Sequence, residues 1–320
     1  MDWLSSSGSL VLGIFMLMIA GDKLISAAVN LGLRWRVSPL FIGTTVVAAG
    51  TSFPELVVAI LAQIEESSGL TIGNVIGSNI FNIGVVLGVV FIWKHQKGLV
   101  GGKAESYVLN LLTFIFLGTL YWAISDNSIS ILTIQHGLFL LTLFILVMIL
   151  NYKRGRSQSV NSDLEEFIDS ETSRWTYLSL FVSMIGLWIG AEFLVHGASE
   201  LARLLGANET TIGLTVVAAG TGAPELFACI SALRKGSSQI ALGNILGSNI
   251  FNTLGIVGAA TLIAPLPMDT ELLRIDLWVM TGLTMSLLLL QGVLKGKFAL
   301  RTYGIVLLLV YSAWLLEGVI

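Results

Sequence analysis

Residues 43–60 read GTTVVAAGTSFPELVVAI, and residues 213–230 read GLTVVAAGTGAPELFACI. Twelve of these 18 positions are identical at an offset of 170. The same offset lays TIGNVIGSNIFN (71–82) on ALGNILGSNIFN (241–252), and Asp22 on Glu192. An ungapped register over such a length marks an internal duplication.

The duplicated segments sit in a chain of 320 residues that is 55% hydrophobic and only 12% charged, with a mean hydropathy of +0.87. A soluble domain carries about 25% charged residues. The composition therefore excludes an ordinary soluble enzyme and a disordered chain. With 17 basic against 20 acidic residues there is no basic field for nucleic acid. Cys229 is the single cysteine, which excludes a disulfide framework or a cysteine-rich metal site.

Polar breaks divide the chain into ten apolar stretches, near 9–31, 38–63, 70–92, 106–124, 131–151, 175–205, 211–233, 240–264, 272–294 and 299–318. Each suits a bilayer crossing of about 20 residues. The opening MDWLSSSG lacks the basic flank of a cleaved signal peptide, so the first stretch is expected to be retained. With the N-terminus outside, fourteen of the 17 Lys and Arg residues fall in inner loops, Arg34, Lys94, Lys153, Arg234 and Lys295 among them. Glu65, Glu66, Asp126, Glu209, Asp269 and Glu271 fall outside. This asymmetry predicts N-out and C-out termini. Trp93, Trp122, Tyr152, Trp175 and Trp314 lie near expected span ends and read as headgroup anchors.

Five spans per repeat is an odd number, so the second copy must enter the membrane from the opposite side. The expected fold is thus an all-α polytopic membrane protein: ten transmembrane helices forming two inverted five-helix repeats, with broken helices at a midplane ion site. Residues 1–152 form the first repeat, 153–174 a polar cytoplasmic linker and 175–320 the second repeat. Asp163, Glu165, Glu166 and Asp169 in the linker have no EF-hand spacing and read as a solvated run.

Glu55 and Glu225 lie deep in apolar stretches, where an unpaired charge costs at least about 3 kcal/mol. Each follows a proline, Pro54 or Pro224, and nearby glycines, so the helix can unwind and turn carbonyls inward. Thr51, Ser52 and Thr221 add hydroxyls. Ser78 and Asn82, like Ser248 and Asn252, share a helical face at i, i+4. Asn74, Asn79, Asn244 and Asn249 fall on other faces, and Asn74 and Asn244 fit interhelical bonding as well as ion contact. Gly73, Gly77, Gly243 and Gly247 read as close-packing positions. Asp22 is expected to pair with a neighbour such as Lys23, and Glu192 with a buried His196, with gating or proton relay as the alternative role. An all-oxygen, partly anionic set suits Ca²⁺ or Na⁺ rather than zinc, copper or iron. Two carboxylates that one Ca²⁺, several Na⁺ or two protons could neutralise in turn are a physical basis for antiport.

These paired motifs, GTSFPE (50–55) with GTGAPE (220–225) and GNVIGSNIFN (73–82) with GNILGSNIFN (243–252), resemble the α-repeats of the calcium/cation antiporter superfamily, in its prokaryotic sodium/calcium exchanger branch. The likeness covers nearly the whole chain. It implies exchange of about three Na⁺ for one Ca²⁺ by alternating access in the plasma (inner) membrane, with the ions as cargo and no cofactor. It also implies that the second, third, seventh and eighth spans hold the site while the first and sixth slide across it. By position, Glu55 and Glu225 would bind Ca²⁺, and Thr51 and Thr221 would supply oxygens. Ala48 and Ala218 would contribute carbonyls for Na⁺. Ser52, Ser78 and Ser248 would be Na⁺ ligands, with Asn82 and Asn252 completing the centre.

Gly222, where related chains repeat serine, removes a hydroxyl, and Asn252, where some carry aspartate, leaves the site at charge −2. Na⁺ and H⁺ thus both stay open as the driving ion, the GTxxPE motif favouring Na⁺. A cation channel, or an intramembrane enzyme using two carboxylates, fits the duplicated ligand set less well. The lipid bilayer and the ions are the expected partners.

Overall fold

The computed structural model describes residues 3–65, 68–93, 103–123, 129–157, 175–207, 212, 216, 218–269, 274–288 and 296–319. Residues 158–174, most of the expected linker, lie outside the described residues.

The first helix, α1, spans Trp3–Trp35. Ser38 then accepts the Phe41 N–H at 3.3 Å and Pro39 follows it, the combination that starts a helix, here α2 (Pro39–Ile42). A π-helical turn, Gly43–Val47, leads into α3 (Ala48–Thr51). The chain breaks at Ser52, with φ −86° and ψ 10°, and resumes as α4 (Phe53–Ile64), bent by 45° from the preceding helix. Pro54, which lacks an N–H and cannot continue a helix from upstream, accounts for the break.

Next come α5 (Ser68–Phe81), a π turn at Asn82–Leu87 and α6 (Gly88–Trp93). They are followed by α7 (Lys103–Trp122), α8 (Ile134–Ser157) and α9 (Thr176–Leu204). The second repeat reproduces the break: α10 (Ala218–Thr221) ends at Gly222, with φ −86° and ψ 0°, and α11 (Ala223–Arg234) follows. It also reproduces the π turn, at Phe251–Ile256 between α12 (Ser238–Ile250) and α13 (Val257–Ile263). The chain closes with α14 (Arg274–Ser286) and α15 (Lys297–Val319). Gly206 and Gly236, at φ +89° and +75°, end α9 and α11 in the left-handed conformation that glycine adopts without penalty.

Among the described residues, six helices are long and apolar enough to cross a membrane, or seven if the bent pair Pro39–Thr51 and Phe53–Ile64 is one span. Their burial sorts them into layers. The continuous helices Gly69–Trp93 and Ser238–Ile263 are 78% and 83% buried, against 28–39% for the other four. The two copies of GSNIFN therefore sit on the central helices.

α1 and α9 pack antiparallel at the periphery. A Cβ on Gly13 would stand 2.4 Å from the Leu194 nitrogen, and one on Gly197 would stand 2.4 Å from the Leu10 nitrogen. Without a hydrophobic drive between helices in lipid, such backbone approach supplies the attraction.

The all-α expectation needs one correction. β1 (Ile129–Leu132) pairs antiparallel with β2 (Leu266–Asp269), Leu132 lying opposite Leu266. The expected span at 131–151 accordingly starts three residues later, at Ile134. At a span end the backbone loses its helical partners, and a two-stranded ladder satisfies the freed N–H and C=O groups.

Candidate functional site

Glu55 and Glu225 each fall in the first turn of the helix that follows a break, α4 and α11. Unpaired N–H groups and the helix dipole make such a terminus favourable for an anion. Both side chains are buried, at 1% and 0% exposure. Asn82 and Asn252 fall in the two corresponding π turns, where the widened backbone rotates a side chain out of helical register.

The asparagines lock the repeats together reciprocally. Asn82 Nδ2 donates to Asn249 Oδ1 at 3.0 Å, and Asn252 Nδ2 donates to Asn79 Oδ1 at 3.2 Å. Residues 82 and 252, and residues 79 and 249, are repeat equivalents, so these are one bond made twice. Asn249 Nδ2 also donates to the Asn79 carbonyl at 3.2 Å, and Asn79 Nδ2 to Thr253 Oγ1 at 2.8 Å. Asn79 and Asn249 were not expected at the centre. The available signal was their spacing: three residues before Asn82 and Asn252 puts each on an adjoining helical position.

With the amide nitrogens committed, the amide oxygens are left over. Among the described residues, Asn82 Oδ1, Asn252 Oδ1, Ser78 Oγ, Glu225 Oε2 and both Glu55 carboxylate oxygens are buried without a hydrogen-bond partner. Buried polar atoms are almost always paired. Six orphaned oxygens drawn from four expected site segments, all acceptors apart from one hydroxyl, are the donor set of a hard cation.

The remaining expected residues bond across the repeats or hold repeat-equivalent places. Ser52 Oγ donates to Glu225 Oε1 at 3.1 Å across the repeats. Thr51 Oγ1 donates to Asn244 Oδ1 at 3.1 Å and lies 3.4 Å from Ser248 Oγ. Asn244 is further tied by its donation to Cys229 Sγ at 3.4 Å, which makes it an interhelical bridge. The Ala48 carbonyl already accepts the Ser52 N–H at 2.9 Å and the Thr51 hydroxyl at 3.4 Å, so a cation there would take the place of the longer hydroxyl bond. Thr221 and Ala218 stand at the end and start of α10, in the places that Thr51 and Ala48 occupy in α3.

Two expectations are corrected. Asp22 pairs with Arg234 (Oδ2 to Nη1, 3.8 Å) rather than Lys23, because α1 runs along α11 and brings a guanidinium within reach. Lys235 donates to Ser26 Oγ at 2.9 Å beside it. Glu192 and His196 form no ion pair, and His196 is exposed rather than buried, since both face away from the protein. Gly243 and Gly247 are seated against Gly43 and Thr44, whereas no described residue comes within 4 Å of an added Cβ at Gly73 or Gly77, and residues 213 and 214, the repeat equivalents of Gly43 and Thr44, lie outside the described residues.

The sodium/calcium exchanger protein family matches residues 5–153 and 175–316. The chain belongs to that family. It is 31% identical to the sodium/calcium exchanger MaX1 of Methanosarcina acetivorans, over 96% of each chain. It is 30% identical to the inner membrane protein YrbG of Escherichia coli, over 98% of each. Among solved structures it resembles the sodium–calcium exchanger NCX_Mj soaked with Na⁺ and Ca²⁺, at a TM-score of 0.78 and 28% identity over 96% of each chain. This exchanger-family chain is thus a multi-pass transmembrane antiporter of cations, of the prokaryotic branch of the calcium/cation antiporter superfamily.

Proposed function

We propose that this family member exchanges Na⁺ for Ca²⁺ by alternating access, with Glu55 and Glu225 as the anionic ligands. The observation that carries the proposal is the buried set of orphaned oxygens: both carboxylates, Ser78, Asn82 and Asn252. Two carboxylates match one Ca²⁺ in charge. In its absence they need monovalent cations or protons, because bare buried carboxylates are not tolerated. Thr51, Thr221, Ser52, Ser248 and the carbonyls of Ala48 and Ala218 complete the oxygen shell. The chain works as a transporter without a cofactor, not as an enzyme.

The proposed architecture is ten spans in two inverted repeats, 1–152 and 175–320, joined by the 153–174 linker, with both termini outside the plasma (inner) membrane. Two contacts support it. Antiparallel α1 and α9 are repeat equivalents, as inversion requires. The β1–β2 pair joins the loops before α8 and α14, and loops on one face must be separated by an even number of crossings. Ten spans put four between them.

Access to the site is proposed from the outer side. The inner ends are closed by α1 on α11 and by the seating of Gly43 against Gly243, whereas Gly73 of α5 is exposed.

Radioactive Ca²⁺ uptake into proteoliposomes loaded with Na⁺, with K⁺ or with acid tests the assignment. Uptake only with internal Na⁺ is expected. Uptake driven by internal acid alone would replace Na⁺ by H⁺ as the counter-ion of the same glutamates.

A further inference from the structure

The two carboxylates are equivalent by repeat but are not equally held. Ser52 donates to Glu225 Oε1 across the interface at 3.1 Å. The repeat-related bond would run from residue 222 to Glu55. Position 222 is glycine, and both Glu55 oxygens are without a partner among the described residues.

The reason for glycine lies next to it. A Cβ at Gly222 would stand 2.2 Å from Phe81 Cδ1 and 2.3 Å from Cε1. Phe81 cannot easily yield, because it is only 4% exposed and Tyr311 packs edge-on against it at 5.7 Å. Its repeat equivalent, Phe251, is instead packed on Phe144 at 5.5 Å.

We infer that Phe81 and Gly222 form a specificity-determining pair in which the Phe81 ring occupies the space of a side chain at 222 and so denies Glu55 a hydroxyl partner. The inference rests on the proposed cation site and deepens it. Glu225 is oriented by Ser52 and offers one free oxygen. Glu55 keeps both oxygens free and can turn them together onto one divalent ion. Na⁺, whose shell needs neutral hydroxyl and carbonyl oxygens as well as charge, loses one ligand on that side. The pair therefore shifts selectivity toward Ca²⁺ and away from tight Na⁺ binding. Phe81 acts through position 222 and is a positioning residue.

The test measures half-saturation for Na⁺ and for Ca²⁺ separately, in Na⁺-driven Ca²⁺ exchange by the full-length protein in proteoliposomes. The variants are G222S, F81A, F81A/G222S and F81L/G222S, the last keeping more of the core filled. Relative to F81A, the F81A/G222S double variant is expected to lower Na⁺ half-saturation about three- to tenfold, the worth of one ordinary hydrogen bond. Ca²⁺ half-saturation should stay within about twofold, a split that general loosening of the core would not produce. G222S alone should melt at lower temperature than the wild type, and F81L/G222S should recover part of that loss.

A G222S variant as stable as wild type and with the same Na⁺ gain would overturn the role of Phe81. Na⁺ dependence in F81A/G222S equal to that of F81A would overturn the role of the hydroxyl. Wild-type Ca²⁺ uptake that ignores Na⁺ would overturn the proposed Na⁺ coupling itself, and the wild-type arm separates that failure from the other two.

Discussion

The central helices α5 and α12 carry nearly the same sequence and are both mostly buried, but their glycines are unequally covered. Along α12, a Cβ on Gly247 would stand 2.5 Å from the Thr44 carbonyl oxygen, and the Cα of Gly43 lies 3.0 Å from an added Cβ on Gly243. Thr51 reaches over to Asn244 and Ser248. Along α5, Gly73 is exposed, Gly77 meets nothing within 4 Å among the described residues, and the Ser78 hydroxyl is unpartnered. Identical glycines are a buried seam on one side and are more exposed on the other, where residues 213 and 214, the repeat equivalents of Gly43 and Thr44, lie outside the described residues. Two such faces around one set of ligands are what alternating access requires.

The sharpest way to break the comparison is to fill both seams. Gly247→Leu should destabilise the protein by about 2–3 kcal/mol, as overpacking does. Gly77→Leu should cost under about 0.5 kcal/mol in the same state. Both should stop exchange, because a filled seam cannot close. Thermal melts of the solubilised protein read the first difference and Ca²⁺ flux the second. Equal losses of stability would remove the asymmetry.

A smaller effect is expected at the asparagine bridge. Asn249→Ala leaves the Asn82 amide without its acceptor, at a cost of about 1–3 kcal/mol. Asn79→Ala should cost a similar amount, since the repeat-related bond is lost. A marked difference between the two melts would show that the bridge is not reciprocal.

The smallest effect belongs to the contact between α1 and α11. Asp22 and Arg234 are 38% and 48% exposed in their side chains. Arg234→Ala should therefore change stability by no more than about 1 kcal/mol. The account places this pair on the closed inner face, so its loss should speed opening there, read as a faster Ca²⁺ exchange rate at saturating ions. An unchanged rate would make the pair incidental.

The repeat, the breaks at Ser52 and Gly222 and the burial of both glutamates were legible because proline chemistry and the cost of a charge in lipid act locally. The β1–β2 pair was not, since ISIL and the residues around Pro267 are apolar enough to merge with neighbouring spans. The central role of Asn79 and Asn249 was hidden because a polar face gains meaning only from what is opposite it. Nor could the unequal packing of α5 and α12 be read, as their GNxxGSNIFN motifs share every defined position. Phe81 lying on Gly222 explains a substitution that the sequence displayed only as a missing hydroxyl.

The central claim is that Glu55 and Glu225 together hold the exchanged cation. It is tested most directly by radioactive Ca²⁺ uptake into Na⁺-loaded proteoliposomes containing wild type or E55Q/E225Q, each checked for equal reconstitution. The account predicts Na⁺-dependent uptake by the wild type and none above empty vesicles by the double variant. Wild-type uptake by E55Q/E225Q would contradict it.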